Sequence, residues 1–363
     1  MIVLKQLHRY AMQLRSNIVT VCSIVVLFSG CVVYHRGPET DHFDGVKFHN
    51  VHASDKNRLG RLLAFLTTRS PAPWPQWIAY TYEGHLPTNV PAGQAAITFI
   101  NHATCLIQLA DLTLLTDPVY AHRVGPWGLI GPKRVHPPGV PFAQLPPIDV
   151  VLISHDHYDH FDVETLKKLQ TTWDPVFVTG LGNQKRLQSL GIHKVATLDW
   201  WETYEHDVGL KVTFTPAQHF SGRGVFDHDH TLWGSFVLEA GDLKLYFAGD
   251  TAYSPHFKAI AARFGPIDFA MLPIGSYQPR WFMQPIHVDP GEAVQAHLDL
   301  QARQSIGIHF GTFALSDEAR DQPALDLRVA QAKLGVAEEC FSVPELGQTF
   351  WITHGAHVSV AEQ

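Results

Sequence analysis

The stretch I-D-V-V-L-I-S-H-D-H-Y-D-H-F-D at residues 148–162 places imidazole and carboxylate groups directly after an apolar run. The apolar half, residues 150–153, is rich in β-branched residues and predicts a strand buried on both faces. The polar half carries His155, Asp156, His157, Asp159 and His160. Ligands at the end of a rigid strand are well placed for a metal site. With a helical pattern beginning at residue 163, the spacing predicts two pairs of ligands, enough to begin two adjacent metal sites.

A surface cluster is the alternative interpretation, because the chain contains 23 histidines and some clustering is expected by chance. A lone His-x-His pair is more often a surface feature than a pair of ligands. The complete H-x-H-x-D-H pattern directly after a buried strand favours metal binding instead. Residues 228–230 read His-Asp-His without the Asp-His completion, and they are interpreted as surface residues. Three isolated histidines are interpreted in the same way, namely His122, His136 and His256.

The composition is that of a well-packed globular enzyme, with 363 residues, 45% apolar and 17% charged. A formal net charge of −7 argues against a nucleic-acid partner. The four cysteines show no C-x-x-C spacing and no disulfide framework. Many histidines and few cysteines predict imidazole and carboxylate ligands rather than a thiolate zinc module.

The N-terminus has the pattern of an export signal. Basic residues at Lys5, Arg9 and Arg15 precede an apolar stretch at residues 18–28, which is shorter than the roughly 20 residues that span a bilayer. The ending L-F-S-G-C resembles the lipobox of bacterial lipoproteins, in which cleavage leaves Cys31 as a diacylated N-terminus. Residues 1–31 are therefore expected to be a signal peptide of a lipoprotein anchored in the cell envelope and facing the periplasm. The alternative is an uncleaved signal anchor.

The remaining chain divides into an extension at residues 32–90 and a main domain at 91–355. The extension is rich in Pro, His and Trp, has a helical pattern at 55–68, and is expected to pack on the main domain. In the main domain, two sets of short apolar strands are each followed by helical patterns. This order predicts an α/β fold with two sheets face to face and helices outside.

Three further polar residues follow predicted strands: His219, Asp250 and His309. Each alone is more often a satisfied turn residue, but together with the central motif they complete an inventory of nitrogen and oxygen ligands. The seven predicted ligands are His155, His157, Asp159, His160, His219, Asp250 and His309.

This inventory fits two metal ions. The first ion is assigned His155, His157 and His219. The second ion is assigned Asp159, His160 and His309. Asp250 is expected to bridge the two ions, because its two oxygens can span ions about 3.5–4 Å apart. Such ligands suit zinc best, with iron or manganese possible. Zinc lowers the pKa of bound water to about 7, so a hydroxide shared by the ions is the expected nucleophile.

At these residues the sequence resembles the metallo-β-lactamase superfamily, whose signature H-x-H-x-D-H is followed by later His, Asp and His. Within it, the chain is similar to bacterial members of the N-acylphosphatidylethanolamine-hydrolysing phospholipase D family over about residues 95–350. Beside residues 145–160, the stretches that carry the similarity are N-H-A-T (101–104), L-T-D-P (115–118), G-P-K-R (131–134), A-Q-H-F (217–220), L-W-G-S-F (232–236), F-A-G-D-T (247–251), P-R-W-F-M (279–283), H-V-D-P-G-E-A (287–293) and H-F-G-T-F-A-L (309–315).

The resemblance implies an αββα sandwich with a dimetal site at one edge. It implies hydrolysis of N-acylphosphatidylethanolamine-type phospholipids to phosphatidate and an N-acylethanolamine, by attack of the bridging hydroxide on phosphorus. The implied catalytic residues are Asp159, Asp250 and His287. His287 either donates a proton to the departing alkoxide or binds the phosphate. The alternative is a helix-start histidine packed against Asp289.

Two apolar segments with neighbouring cations are expected to read the membrane. The assigned residues are Trp127, Ile130, Lys133, Arg134, Arg280 and Trp281. Apolar side chains would enter the acyl boundary while the three cations meet phosphate. The expected partner is thus a phospholipid in a membrane, and a homodimer is left open.

Three other functions remain as alternatives. A metallo-β-lactamase proper is disfavoured, because by family resemblance it lacks a bridging Asp at the position of Asp250. A sugar-phosphate lactonase or another soluble hydrolase of the same fold would need no lipid-facing surface. A non-catalytic surface lipoprotein would be expected to have lost at least one of the ligands.

Overall fold

The computed structural model describes residues 35–52, 58–224, 226–355 and 359–360. The predicted signal at residues 1–31, with Cys31, lies outside the described residues, so the export signal and the boundaries drawn at 31 and 90 stay predictions. Among the described helices, none combines the length and the apolar character that a membrane span requires.

The described residues form fifteen strands and seven α-helices. The strands are β1 (Gln94–Asn101), β2 (Thr104–Gln108), β3 (Thr113–Thr116), β4 (Val150–Ile153), β5 (Val176–Gly180), β6 (Val195–Leu198), β7 (Thr203–Glu205), β8 (Leu210–Thr215), β9 (Ser235–Ala240), β10 (Leu243–Phe247), β11 (Phe269–Pro273), β12 (Gln304–Ile308), β13 (Phe341–Ser342), β14 (Thr349–Thr353) and β15 (Ser359–Val360). The helices are α1 (Arg58–Thr68), α2 (Val163–Trp173), α3 (Gln184–Ser189), α4 (His256–Phe264), α5 (Arg280–Met283), α6 (Pro290–Asp299) and α7 (Gln322–Leu334).

The strands form two mixed sheets. The first has the order β15-β14-β1-β2-β3-β4-β5-β6, and the second has the order β13-β12-β11-β10-β9-β8-β7. Strands β3 to β6 are parallel, as are β10 to β13, whereas β7 to β10 pair antiparallel. Two antiparallel steps separate β8 from β10, so these two strands run in the same direction and end at the same edge.

The central strand β4 shows why its sequence is continuously apolar. Val150 and Leu152 belong to the core cluster between the sheets, together with residues of both sheets such as Phe236. Val151 and Ile153 point the other way, into the cluster that α2 and α3 cover. All four residues of β4 are fully buried, as expected for a strand covered on both faces.

A third apolar cluster lies on the outer face of the second sheet, where Phe257 of α4, Val294 of α6 and Leu327 of α7 pack against it. Helices therefore cover both outer faces of two stacked sheets. The predicted αββα sandwich is confirmed.

The N-terminal extension packs on the main domain along its described length. Phe43 and Phe48 belong to the core cluster between the sheets. Phe65 of α1 stacks on Phe282 with ring centroids 4.3 Å apart. Further along the chain, Tyr80 Oη donates a hydrogen bond to the backbone oxygen of Leu346.

Several histidines contradict their assignment to the surface. His136, His230 and His256 are buried, and at least one ring nitrogen of each has a nearby partner. His136 Nδ1 lies 2.7 Å from the oxygen of Pro137, and His256 Nδ1 lies 2.5 Å from Ser254 Oγ. A short-range polar partner is what makes burial of an isolated histidine tolerable, and the sequence pattern does not reveal it.

Candidate metal centre

The predicted ligands meet where strands of both sheets end. The motif histidines follow β4, while His219, Asp250 and His309 follow β8, β10 and β12. Gly249 makes the close approach possible: it has a φ of +57°, and a Cβ there would lie 2.5 Å from the Cβ of Ser154. Glycine is needed at this point so that the turn after β10 can reach the turn after β4.

The first group consists of His155, His157, His219 and Asp250, whose ligand atoms lie within 4.8 Å of one another. His157 Nδ1 is 2.8 Å from His155 Nε2 and 3.3 Å from His219 Nε2. Ligand atoms about 2.0–2.1 Å from a tetrahedral ion are roughly 3.3 Å apart, so these nitrogens are spaced to share one ion.

The remaining nitrogens of two rings have partners that fix the tautomer. His155 Nδ1 lies 2.9 Å from Ser154 Oγ, and His219 Nδ1 lies 2.8 Å from the backbone oxygen of Ile286. A proton on each Nδ1 donates to these oxygens and leaves both Nε2 lone pairs directed into the group.

The second group consists of Asp159, His160 and His309, as predicted for the second ion, with His102 in addition. Asp159 Oδ2 lies 3.4 Å from His160 Nε2 and 3.3 Å from His309 Nε2. On its far side, His160 Nδ1 donates to Asp117 Oδ2 at 2.6 Å. A buried carboxylate behind a ligand imidazole orients the ring and raises its basicity.

Asp250 faces both groups with a single oxygen. Its Oδ2 lies 3.2 Å from His160 Nε2 and from His309 Nε2, and 3.8 and 3.7 Å from His155 Nε2 and His219 Nε2. The sequence led us to expect one oxygen for each ion, but the same oxygen is directed at both positions. Among the described residues, the buried Oδ1 has no hydrogen-bond partner.

The charged side chains of the two ligand groups shift one another's pKa values in the direction that favours bound cations. Burial would raise the pKa of the Asp250 carboxyl, but His160, His309 and His287 lower it well below its usual range. Conversely, burial opposes protonation of His309, yet Asp250 and Asp159 raise its pKa to about 9. Without a metal ion, the negative charge of the buried carboxylates is balanced by protons on the imidazoles. Bound cations would take the place of these protons. The donor set fits two divalent cations with nitrogen and oxygen ligands.

His102 is a site residue that the sequence reasoning missed. Its Nε2 lies 2.9 Å from Asp159 Oδ2, and its ring is buried. The backbone is in a left-handed conformation, φ 49°. Its N–H donates to Thr312 Oγ1, and its oxygen accepts from the N–H of His309. The available signal was its position directly after the strand at residues 96–100, within the N-H-A-T stretch.

His287 lies at the centre and not against Asp289. Its ring centroid is 5.0 Å from that of His219 and 5.4 Å from that of His309, and it forms a third group with Asp250. Its buried Nδ1 has no hydrogen-bond partner among the described residues. Burial lowers the pKa of His287 to about 4, so the ring is neutral near pH 7.

The apolar part of the predicted membrane surface is exposed. Trp127 and Ile130 have 69% and 59% of their surface accessible, and Trp281 has 48%. Phe313 connects the loop that carries Trp127 to the second ligand group. It forms an isolated β-bridge with Arg134 of the loop, and its ring centroid lies 5.3 Å from that of His102. Lys133 is exposed on the same loop.

Two of the predicted phosphate-binding cations have structural roles instead, which corrects their assignment. Arg134 is only 3% exposed, because its guanidinium donates to the backbone oxygens of Val119 and Ala121 inside the loop. Arg280 is paired with Glu292 at 2.8 Å and donates to the backbone oxygen of His287 at 3.0 Å. The sequence showed each cation beside aromatic residues but not the internal acceptors that engage it.

Comparison with known proteins places the chain in a family. The β-lactamase superfamily domain matches residues 113–310, more than half of the chain. The chain is 39% identical over 229 residues to N-acyl-phosphatidylethanolamine-hydrolyzing phospholipase D 1 of Caenorhabditis elegans, covering 60% of this chain and 64% of that protein. It is 33% identical over 282 residues to the mitochondrial N-acyl-phosphatidylethanolamine-hydrolyzing phospholipase D of Saccharomyces cerevisiae, covering 74% and 59%. It thus spans less than two thirds of the length of these relatives.

The fold has a close parallel among solved structures. A possible metal-dependent hydrolase from Veillonella parvula superposes with a TM-score of 0.57 at 19% identity, over 70% of this chain and 98% of that one. The β-lactamase domain match, the αββα sandwich and the paired ligand groups agree. The protein belongs to the metallo-β-lactamase superfamily of metal-dependent hydrolases.

Proposed function

We propose that the protein is a zinc-dependent phosphodiesterase that hydrolyses N-acylphosphatidylethanolamine-type phospholipids to phosphatidate and N-acylethanolamine. The observation that carries the proposal is the single oxygen of Asp250, which faces two adjacent groups of ligands. Paired ion positions with one shared carboxylate suit the in-line displacement at a phosphodiester. The names of the Caenorhabditis and Saccharomyces relatives support the lipid class.

Two zinc ions, when bound, supply Lewis acidity and a water molecule of lowered pKa. The chain itself contributes orientation. Asp117 holds the ring of His160, and Ser154 and the backbone of Ile286 hold the rings of His155 and His219. His287, neutral and directed into the same space, is placed to donate an N–H hydrogen bond to a phosphate oxygen. Elemental analysis distinguishes zinc from iron or manganese.

We further propose that apolar side chains at the rim select a lipid over a soluble phosphodiester. The ligand groups recognise charge and cannot distinguish the two substrates. The exposed loop with Trp127, Leu129 and Ile130 and the exposed Trp281 provide apolar surface beside the centre. Helix α1 packs on α5 and exposes Leu66, which adds an apolar side chain on the side of Trp281.

The activity is tested with three substrates in vesicles or solution. We expect turnover of an N-acylated phosphatidylethanolamine, release of N-acylethanolamine, and weaker turnover of phosphatidylethanolamine without the N-acyl group. A cyclic lactone serves as the control. Lactone hydrolysis without phospholipid turnover would identify a soluble-substrate hydrolase of the same fold and reject the proposal.

Replacing Trp127 and Ile130 together by Ala should weaken turnover of vesicle-bound lipid by about 30-fold or more, because each apolar side chain that enters the acyl boundary contributes roughly 1–2 kcal/mol. Turnover of a small soluble phosphodiester should stay near the wild-type value. The matched control replaces Leu325 and Val329 of α7, which are also exposed, by Ala. Equal losses on both substrates would show that the loop supports the fold and does not read the membrane.

For the location we propose the bacterial cell envelope, with Cys31 as a lipid-modified N-terminus facing the periplasm. The support is the sequence alone, a basic and then apolar leader that ends in L-F-S-G-C. Wild-type protein should incorporate labelled fatty acid, and Cys31→Ser should accumulate as an unprocessed precursor. Absence of label on the wild type would favour a signal anchor.

A further inference from the structure

We propose that the N-terminal extension is part of the metal centre, and that Asn50 is a positioning residue for the first ligand group. Asn50 lies outside the matched superfamily domain at residues 113–310. The inference rests on the metal centre and not on the lipid substrate. It gives a role to a segment whose function the sequence does not reveal.

Asn50 binds both backbone groups of one metal ligand. Its Nδ2 donates to the backbone oxygen of His219 at 2.7 Å, and its Oδ1 accepts from the backbone N–H of His219 at 3.1 Å. The amide side chain therefore pairs with His219 as a neighbouring strand would. Its Oδ1 also accepts from Trp233 Nε1 at 3.2 Å, which holds the amide in one orientation.

His219 is consequently fixed at both ends. The backbone is held by Asn50, and the ring is held through Nδ1 by the oxygen of Ile286. His219 lies four residues after the end of strand β8, and among the described residues no strand pairs with it. The Asn50 side chain supplies the two backbone hydrogen bonds that a neighbouring strand would make. Loss of this anchor would let Nε2 move relative to His155 and His157, and ligand geometry tolerates little displacement.

The extension itself is firmly attached next to Asn50. His42 Nε2 lies 2.7 Å from Asp199 Oδ1, and its ring stacks on Trp200 with centroids 4.3 Å apart. The N–H of Phe48 donates to the backbone oxygen of Asp229, and the Phe48 side chain is buried in the core. These contacts set the position from which Asn50 reaches His219.

The test measures zinc affinity by competition with a chelator, resolved into two binding steps. Asn50→Ala should weaken one step by about tenfold, the lower end of the effect typical for residues behind a metal ligand. The other step should keep its wild-type affinity. Asn50→Asp keeps the acceptor for the His219 N–H but loses the donor to its oxygen, so it should fall between Asn50→Ala and the wild type.

Tyr80→Phe is the matched control. Tyr80 also lies in the extension and donates to the backbone oxygens of Leu346 and Gly139, which belong to neither ligand group. It should lower the unfolding temperature of the metal-free protein without changing either zinc affinity. If Asn50→Ala behaves like Tyr80→Phe, or weakens both zinc steps equally, Asn50 is merely structural and the proposal is rejected.

A second measurement uses the wild-type protein and does not depend on the folding of a variant. If Asn50 and the first ion are coupled, zinc must stabilise the contact as much as the contact stabilises zinc. Amide hydrogen exchange of His219 and of residues 42–50 should slow when zinc is added. Unchanged exchange in this segment on full zinc loading would overturn the proposal, whatever the enzyme's activity on lipids.

Discussion

Asp250→Asn is expected to reduce bound metal from about two ions per chain to less than one, and to lower phospholipid turnover on the order of 10³-fold. The reason is that Asp250 Oδ2 faces both groups and lies 3.2–3.8 Å from four imidazole nitrogens, two in each group. An amide keeps the shape but removes the negative charge that both positions use.

Asp159→Asn is the matched control, because Asp159 belongs to the second group alone. It should lose about one ion and keep the other. Elemental analysis of purified protein measures both variants, and circular dichroism checks that each is folded. Full occupancy in Asp250→Asn, or equal loss in the two variants, would reject the bridging role.

His287→Ala should lower kcat/KM for the phospholipid on the order of 10²-fold, through loss of one hydrogen-bond donor to the phosphate. His287→Asn keeps an N–H donor and should recover a large part of this loss. The reason for expecting a donor rather than a general acid is the pKa of about 4, which burial imposes and which leaves the ring neutral near pH 7. Metal content should be unchanged in both variants.

The pH profile separates the two roles. A group with a pKa of about 4 gains its proton only as the pH falls through that value, so His287 should add no basic limb between pH 6 and 9. If wild-type kcat falls with rising pH in this range, and if the fall disappears equally in His287→Ala and His287→Asn, proton donation to the departing alkoxide is the better account.

The sandwich and the seven predicted ligands were within reach of the sequence because both depend on local patterns. The apolar run of β4 and the ligands after it are adjacent in the chain, and each later ligand follows its own strand. Parallel strand ends gather at one edge of a sheet, so strand prediction was enough to place them near each other. Helix α7 was not predicted, because its apolar residues do not recur with a clear helical period.

Residues that act through tertiary contacts were not predictable in this way. Asn50 and His102 reach ligands 169 and 57 positions away in the chain. Arg134 was predicted to be exposed and to bind phosphate, because it lies in a loop rich in Pro and Gly. Its guanidinium instead points inward and donates to backbone oxygens. In each case the deciding quantity is the set of partners around the side chain, and a single sequence does not contain it.

The division of the ligands between two sheets has a consequence for biosynthesis. The first set is complete only when the chain has been made as far as Asp250, and the second only after His309, with both sheets already stacked. Neither ion is held until strands of both sheets have been made and stacked, so metal uptake must follow the folding of these sheets. Which divalent ion is bound depends on the site geometry and on the ions available, so it depends on the compartment in which folding is completed. For a chain that crosses the inner membrane unfolded, that compartment would be the periplasm rather than the cytosol.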